Sequence, residues 1–139
     1  MVKINIGCGW RDFGSDWVHI DGGDYKHLNY DSISDLSQYD NKSVDLIYAS
    51  HVIEYFDREE VETLLLEWKR VLRDKGKLRV AVPNFETMAM LYASKQYSLE
   101  SFLGPLYGKM KMQDTTIYHK TCYDFDNLSS LLNKLGFRD

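Results

Sequence analysis

The stretch that decides the fold is Val2-Lys3-Ile4-Asn5-Ile6-Gly7-Cys8-Gly9, with Val18-His19-Ile20-Asp21 a short distance downstream. Alternating β-branched residues predict a strand over residues 2–6, and a second apolar run predicts another over residues 18–20. The two glycines predict a turn in which the backbone approaches a ligand closely. A glycine-rich turn after one strand, with a carboxylate ending the next, is typical of doubly wound folds that bind a nucleoside. The sequence therefore predicts a site for an adenosine-type ligand.

The spacing of the glycines favours one class of ligand over another. A dinucleotide fingerprint requires a third glycine three residues after Gly9, and Asp12 stands there, with a charge that would repel a pyrophosphate. The crossover before Val18 is also near the minimum length for a strand–helix–strand connection. We therefore expect a cofactor without a pyrophosphate rather than a nicotinamide dinucleotide. The structural alternative is a plain tight turn after a buried strand.

Composition predicts one globular domain over residues 1–139. Apolar residues make up 44% and aromatic residues 14%, which is typical of a packed core and not of disorder. The net charge of −4, without a basic tract, disfavours nucleic-acid and membrane partners. There is no membrane-spanning apolar run and no leader pattern, and Cys8 and Cys122 have no metal-ligand spacing. We expect a cytoplasmic protein without a metal.

The remaining pattern predicts alternating strands and helices. A weak strand is expected over residues 25–30, and clear strands over 43–50 and 77–82, the last stopped by Pro83. Between the clear strands, Asp57 predicts the start of a helix, Glu60 completes a capping box, and an apolar stripe predicts the buried face. Gly76 is expected to end that helix. This order predicts a parallel α/β sheet.

The C-terminal third is less regular. A helix is expected over residues 84–97, a loop at Gly104-Pro105 and Gly108, and irregular chain over 109–119. A last helix is predicted, capped by Asp124 or Asp126 and closed by Gly136. Residues 137–139 are expected to begin another strand.

Four stretches together resemble the class I S-adenosylmethionine-dependent methyltransferases, and most closely their small type-11-like members. They are the segments 4–9, 43–55, 69–78 and 128–137, in the family's order and at compatible spacing. The resemblance implies a Rossmann-like parallel sheet of order 3-2-1-4-5 with flanking helices in a three-layer sandwich. It also implies S-adenosyl-L-methionine as methyl donor, S-adenosyl-L-homocysteine as product, and a small-molecule or sugar-like acceptor. The domain is expected to end before the family's sixth and seventh strands.

The chain departs from the family at informative positions. Asn5 replaces the acid often found before the first glycine, and Asp74 and Lys75 replace residues of a Pro-Gly-Gly turn, which predicts a less tight turn. These departures favour an alternative reading as a catalytically inactive S-adenosylmethionine-binding interaction module. An exposed sheet edge, if the last strands are missing, predicts a possible homodimer.

The resemblance also assigns site residues. Gly7 and Gly9 are expected to admit the methionine half of the cofactor, and Asp21 to bind the ribose hydroxyls. The expected cofactor-binding set is Asn5, Gly7, Cys8, Gly9, Asp21, Gly22, Asp31, Ser32, Ile33, Ser50 and His51.

Two histidines are candidate catalytic residues. His51 follows the fourth strand of the family pattern, where it can contact the cofactor or act as a base, and His119 can deprotonate a hydroxyl acceptor. The alternatives are a structural histidine and a surface histidine. The expected substrate pocket consists of Glu54, Tyr55, Tyr118 and Tyr123.

Overall fold

The computed structural model describes residues 1–138, and its centre is a four-stranded parallel sheet. The strand order is β2-β1-β3-β4. In chain order the elements are β1 (Lys3–Ile6), β2 (Val18–Ile20), β3 (Val44–Ser50), a 3₁₀ turn (Ile53–Tyr55), α1 (Glu60–Val71), β4 (Leu72–Ala81), α2 (Phe85–Ala93), α3 (Leu99–Tyr107), the hairpin β5 (Met110–Met112) and β6 (Thr115–Ile117), and α4 (Phe125–Lys134). The predicted Rossmann-like α/β class is confirmed.

The register of the strands brings their carboxyl ends to one edge. Ile6 pairs with both Ile20 and Ala49, the last or next-to-last residues of β2 and β3. Ser50 pairs in turn with Ala81 at the end of β4. The glycine turn, Asp21 and His51 therefore all follow at the edge where open α/β sheets bind ligands.

The predicted third strand is wrong in its extent. Only Tyr30 pairs beside β2, through a single parallel bridge with Ile20. The residues before it turn instead, because Leu28 N–H donates to Tyr25 O and Asn29 N–H donates to His19 O. The strands β2, β1, β3 and β4 correspond to the last four members of the expected order 3-2-1-4-5, and their order is correct. The first member of that order is reduced to the single bridge at Tyr30.

Helix α1 begins with the predicted capping box. The Asp57 carboxylate accepts from the backbone N–H of Glu60 at 2.8 Å, and Glu60 Oε2 accepts from the N–H of Asp57 at 3.0 Å. The buried stripe consists of Val61, Leu64, Leu65, Trp68 and Val71. Trp68 also donates its indole N–H to Ile33 O at 3.0 Å, which fixes the chain after Tyr30 against the helix.

The turn at the start of β4 is tighter than expected. The helix ends at Val71, before the predicted stop at Gly76, and β4 begins at Leu72. Lys75 takes a left-handed φ of +64°, and a Cβ at Gly76 would lie 2.9 Å from Arg73 O. The expectation of a looser turn is therefore wrong, since Lys75 takes the backbone conformation that glycine favours.

Two C-terminal predictions are also wrong. Helix α2 ends at Ala93, and a second helix, α3, replaces the expected loop although it contains Pro105. Its apolar residues Leu99, Phe102, Leu103 and Leu106 recur at helical spacing, and this period prevails over the glycine and proline signals. The segment expected to be irregular forms the hairpin β5–β6, in which Gln113 takes a φ of +51°.

Helix α4 is capped by the first of the two predicted candidates. Asp124 Oδ1 accepts from the N–H of Asn127 at 2.7 Å, whereas Asp126 lies within the first turn. Phe137 and Arg138 do not form the expected strand, and Asp139 lies outside the described residues. Within residues 1–138, no helix has the length and apolar character needed to cross a membrane.

Candidate functional site

The site is built around the carboxylate of Asp21. Asp21 follows β2, is 6% exposed, and accepts two backbone hydrogen bonds. Its Oδ2 accepts from Gly9 N–H at 2.8 Å and its Oδ1 from Gly23 N–H at 2.7 Å. The carboxylate therefore holds the glycine turn and the loop after β2 together, and each oxygen keeps a lone pair for a ligand.

The two glycines of the turn have different surroundings. Both take left-handed φ values, +65° at Gly7 and +55° at Gly9. A Cβ at Gly7 would lie 2.3 Å from Cγ2 of Val52, so this glycine is required by packing. A Cβ at Gly9 would meet nothing within 4 Å, so Gly9 faces open space beside Asp21. That space is where a ligand can lie against the backbone.

The neighbouring residues of β1 and the turn are buried. Asn5 is 2% exposed, and its Nδ2 has no hydrogen-bond partner among the described residues. Cys8 is also buried, and its burial, together with the Asp21 carboxylate, raises the pKa of the thiol to about 11. Cys8 is therefore a neutral thiol at physiological pH, and its Sγ lies 3.6 Å from Nε2 of His27.

The residues expected on the adenine side are only partly brought together. A Cβ at Gly22 would lie 3.8 Å from the carbonyl oxygen of Asp31, so these two residues are neighbours. Ser32 accepts from Asp35 N–H at 3.2 Å, and Ile33 packs against the core. Asp31 is the residue of this group that lies beside Gly22, and its contact with a cofactor stays a prediction.

His51 follows Ser50 at the end of β3 in a left-handed conformation. Its φ is +56°, an unfavourable value for a residue with a side chain, and its N–H donates to Ala81 O at 2.9 Å. Ser50 is half-buried, while the side chain of His51 is 56% exposed. Such backbone strain is common at functional sites.

Glu54 connects the two candidate catalytic histidines. Its side chain is 1% exposed, and its Oε1 lies 3.2 Å from His51 Nδ1 and 3.9 Å from His119 Nε2. Burial raises the pKa of this carboxyl group, and its Oε2 has no partner among the described residues. The structure thus brings His119 to His51 and Glu54, which lie three residues apart in the loop after β3.

Tyr55 fixes His119 from the other side. The two rings meet edge to face at 4.6 Å, and Tyr55 Oη donates to Gly108 O at 2.6 Å. The His119 ring occupies the place of a Cβ at Gly108, so α3 can end there only with glycine. His119 is therefore a buried residue of this cluster, and not a surface histidine.

The other two predicted pocket residues differ in burial. Tyr123 is 1% exposed, lies under the guanidinium of Arg58 at 4.3 Å, and has a hydroxyl without a partner in the described structure. Burial raises the pKa of its phenol, so the side chain is neutral. Tyr118 is 48% exposed, and its place in a pocket stays a prediction.

Sequence reasoning missed three residues that shape the site. His19 Nε2 accepts from Phe13 N–H at 2.8 Å and thereby holds the crossover between β1 and β2. Gln113, at the tip of the hairpin, donates to Gly22 O at 3.0 Å, and the Sδ of Met112 would lie 3.4 Å from a Cβ there. The sequence gives no sign of these roles. His19 occupies an ordinary position in a strand pattern, and the two-residue hairpin turn Gln113-Asp114 lacks the usual Asn-Gly or Asp-Gly signal.

Comparisons with known proteins agree with this architecture. A family model described as "Methyltransferase domain" matches residues 16–80. No curated protein matches the chain. A solved S-adenosylmethionine-dependent methyltransferase from Archaeoglobus fulgidus has a TM-score of 0.66 at 20% identity, with 99% of this chain and 61% of that chain covered.

Two further solved structures have the same fold. One, from Thermotoga maritima, is a possible histamine N-methyltransferase, with a TM-score of 0.64, 17% identity, and 99% of this chain and 64% of that chain covered. The other is an S-adenosylmethionine-dependent methyltransferase from Methanosarcina mazei. It has a TM-score of 0.62 and 17% identity, with 98% of this chain and 79% of that chain covered. This chain spans less than two thirds of the length of the Archaeoglobus fulgidus and Thermotoga maritima proteins. The family model covers residues 16–80, slightly less than half of the chain, and the solved structures show that the chain has the fold of S-adenosylmethionine-dependent methyltransferases.

Proposed function

We propose that this chain is an S-adenosylmethionine-dependent methyltransferase that acts on a small-molecule or sugar-like oxygen or nitrogen acceptor. The observation that carries the proposal is the Asp21 carboxylate, buried at the carboxyl edge of the sheet and held by the amides of Gly9 and Gly23. A carboxylate at this place in an open α/β sheet is suited to a pair of ribose hydroxyls.

The described residues fit such a cofactor. Gly9 leaves open space beside the carboxylate, and Asn5 keeps a buried amide donor without a partner. Asp21 would hold the ribose, Gly7 and Gly9 would admit the methionine half, and Gly22 with Asp31 would border the adenine. When bound, the cofactor supplies an electrophilic methyl group on a sulfonium.

The chain itself contributes positioning and proton removal. The acceptor must lie in line with the methyl group, and the loop from Ser50 to Tyr55 borders the carboxyl edge where that alignment occurs. His51 and His119 are the candidate proton acceptors, since both imidazoles lie at this edge around Glu54.

The competing function is a cofactor-binding module without catalysis. Asn5 favours it, because an uncharged amide at this position adds no charge that stabilises a sulfonium. The two functions differ in turnover and not in binding. A cytoplasmic location belongs to the main proposal, and it is supported by the two unpaired thiols Cys8 and Cys122.

Isothermal titration calorimetry with S-adenosylhomocysteine tests the cofactor. The wild-type protein is expected to bind it, Asp21→Ala to lose binding, and Asp16→Ala, an exposed acid of the preceding crossover, to bind as the wild type does. NADH serves as the competing ligand. Binding of NADH without binding of S-adenosylhomocysteine would contradict the proposal.

Radiolabelled methyl transfer to a panel of hydroxyl and amine compounds then separates the enzyme from the module. Incorporation of label that Asp21→Ala abolishes would support the enzyme. Binding of S-adenosylhomocysteine with no incorporation into any compound would favour the module.

A further inference from the structure

The cluster around Glu54 is unusual for a protein core. A carboxyl group that is 1% exposed is costly to bury, and burial is the main cause of its raised pKa. No lysine or arginine pairs with it within the described residues; the basic groups that face it are the imidazoles of His51 and His119. The cost is not recovered by complete hydrogen bonding either, since Oε2 has no partner there.

The backbone of Glu54 connects two segments of the site. Its backbone carbonyl accepts from Lys120 N–H at 2.8 Å, which ties the loop after β3 to the segment that carries His119. The pKa of the phenol is raised in both Tyr55 and Tyr123, mainly by burial, and the Glu54 carboxylate adds to each shift. Both phenols are neutral, so they add no charge to the cluster.

The contact with His51 selects one ring nitrogen. Oε1 of Glu54 lies 3.2 Å from Nδ1, and Nε2 is on the far side of the ring. An ionised carboxylate can only accept, so with Glu54 ionised Nδ1 carries the hydrogen and Nε2 carries the lone pair. His51 has a left-handed backbone, and its side chain is 56% exposed at the carboxyl edge of the sheet, where an acceptor can approach the nitrogen that Glu54 leaves free.

We propose that Glu54 is the positioning residue of a proton-accepting centre in which Nε2 of His51 is the base. This inference rests on the proposed methyltransferase function and deepens it. It assigns the acceptor to a class: a neutral O–H or N–H group that must lose its proton for transfer, as opposed to a thiolate or another group that is already an anion.

The step balances as a displacement. The acceptor O–H or N–H bond breaks, and the proton moves to Nε2 of His51. For an O–H acceptor the freed electron pair forms the bond to the methyl carbon. For an N–H acceptor the nitrogen lone pair forms that bond, and the N–H bond breaks afterwards to neutralise the nitrogen. In both cases the electrons of the methyl–sulfur bond would stay with sulfur. The carboxylate of Glu54 stabilises the imidazolium formed, and His51 releases its proton to solvent after the products leave.

The tautomer of His51 tests the proposal without knowledge of the acceptor. Long-range ¹H–¹⁵N spectra distinguish Nδ1–H from Nε2–H imidazoles. The chain has four histidines, and the signal that is lost in a His51→Asn variant is the one that belongs to His51. At high enough pH for a neutral ring, we expect the Nδ1–H tautomer in the wild type. Glu54→Met removes the acceptor and should return His51 to the Nε2–H tautomer that free imidazoles of histidine prefer.

Two further variants control for structure. Glu54→Gln keeps an acceptor oxygen of the same shape and should retain most of the Nδ1–H form, and its wild-type tautomer in the wild-type fold is the reference for Glu54→Met. Glu59→Gln changes an exposed acid nearby and should leave the spectrum unchanged. Glu59→Gln should also bind S-adenosylhomocysteine as the wild type does, because Glu59 is exposed and lies outside the site.

The outcomes separate the two proposals. An Nε2–H tautomer in the wild type would mean that Glu54 is protonated and donates to Nδ1, and it would overturn the inference. A tautomer that is the same in wild type and Glu54→Met would overturn it as well. Failure of the wild type to bind S-adenosylhomocysteine would instead overturn the proposed function, whatever the tautomer.

Discussion

The Oδ2 atom of Asp21 lies 2.8 Å from the backbone nitrogen of Gly9 and accepts its hydrogen bond. Because Oδ1 binds Gly23 N–H in the same way, one carboxylate fixes both loops that border the proposed cofactor site. The acid therefore organises the site before any ligand arrives, and loss of Asp21 should affect both the loops and binding.

Alanine substitutions at the two glycines of the turn should differ in how much they reduce stability and ligand binding. Gly7→Ala combines a left-handed backbone with a clash against Val52, and we expect a loss of roughly 2 kcal/mol or more of unfolding free energy. Gly9→Ala has no such clash and should cost about 1 kcal/mol. It should weaken S-adenosylhomocysteine binding more than it weakens the fold, because the new methyl group enters the ligand's space.

Urea unfolding and calorimetry on the two variants measure these quantities. Equal stability losses would contradict the packing role of Gly7. Unchanged binding by Gly9→Ala would contradict the assignment of the open space beside Asp21.

Replacement of Lys75 by glycine should stabilise the protein. Lys75 takes a φ of +64° at the start of β4, and glycine adopts that conformation without the cost of about 1 kcal/mol. We expect a gain of that size in the free energy of unfolding. Lys77→Gly, at a regular position of the same strand, is the matched control and should lose stability. A loss in Lys75→Gly would contradict the strained turn.

The stability of the protein should fall on mild acidification through His19. Burial lowers the pKa of this imidazole, although the Asp12 carboxylate opposes the shift and His27 adds to it. The pKa of His19 is therefore lower in the folded protein than in the unfolded chain. Its contribution to the free energy of unfolding is present above about pH 6.5 and is lost as the pH falls toward the folded pKa. Protonation also removes the Nε2 acceptor of Phe13 N–H.

The free energy of unfolding measured against pH tests this contribution. His19→Gln should flatten the profile below neutrality, whereas the exposed His51→Asn should keep it. A profile of His19→Gln that follows the wild type would show that another group causes the acid sensitivity.

A homodimer through the sheet edge stays a prediction. The charges on that edge lead us to expect that its association depends on the salt concentration. In the described residues β4 lies at the edge, and it exposes Arg73, Lys75, Lys77 and Arg79. Two identical edges would bring like charges together, so screening by salt should strengthen their association. Sedimentation at low and high ionic strength measures this. A dimer that is strongest at low salt would form through another surface.

The parts of the fold with a strong local signal were predictable. The strand–glycine–acid pattern, the capping box of Asp57 and Glu60, and the apolar stripe around Trp68 each depend on neighbouring residues. The weak strand before Tyr30 was not predictable, because tertiary contacts of Asn29 and His19 decide that segment.

The candidate site also contains residues that could be located from the sequence and residues that could not. Gly7, Gly9 and Asp21 could be located because they follow strands of clear pattern. The meeting of Glu54 with His119 could not, because it depends on a hairpin and a proline-containing helix that carry no recognisable turn signal. The position of Glu54 between two histidines follows only from that packing.

The most direct test of the central claim is a ¹H–¹⁵N amide map of the protein titrated with S-adenosylhomocysteine. We expect the largest shifts at Asp21 itself and at Gly7, Gly9, Gly22 and Gly23 around its carboxylate, at the carboxyl edge of the sheet. Shifts confined to residues away from this edge, or no shifts at saturating ligand, would contradict the assignment of the site.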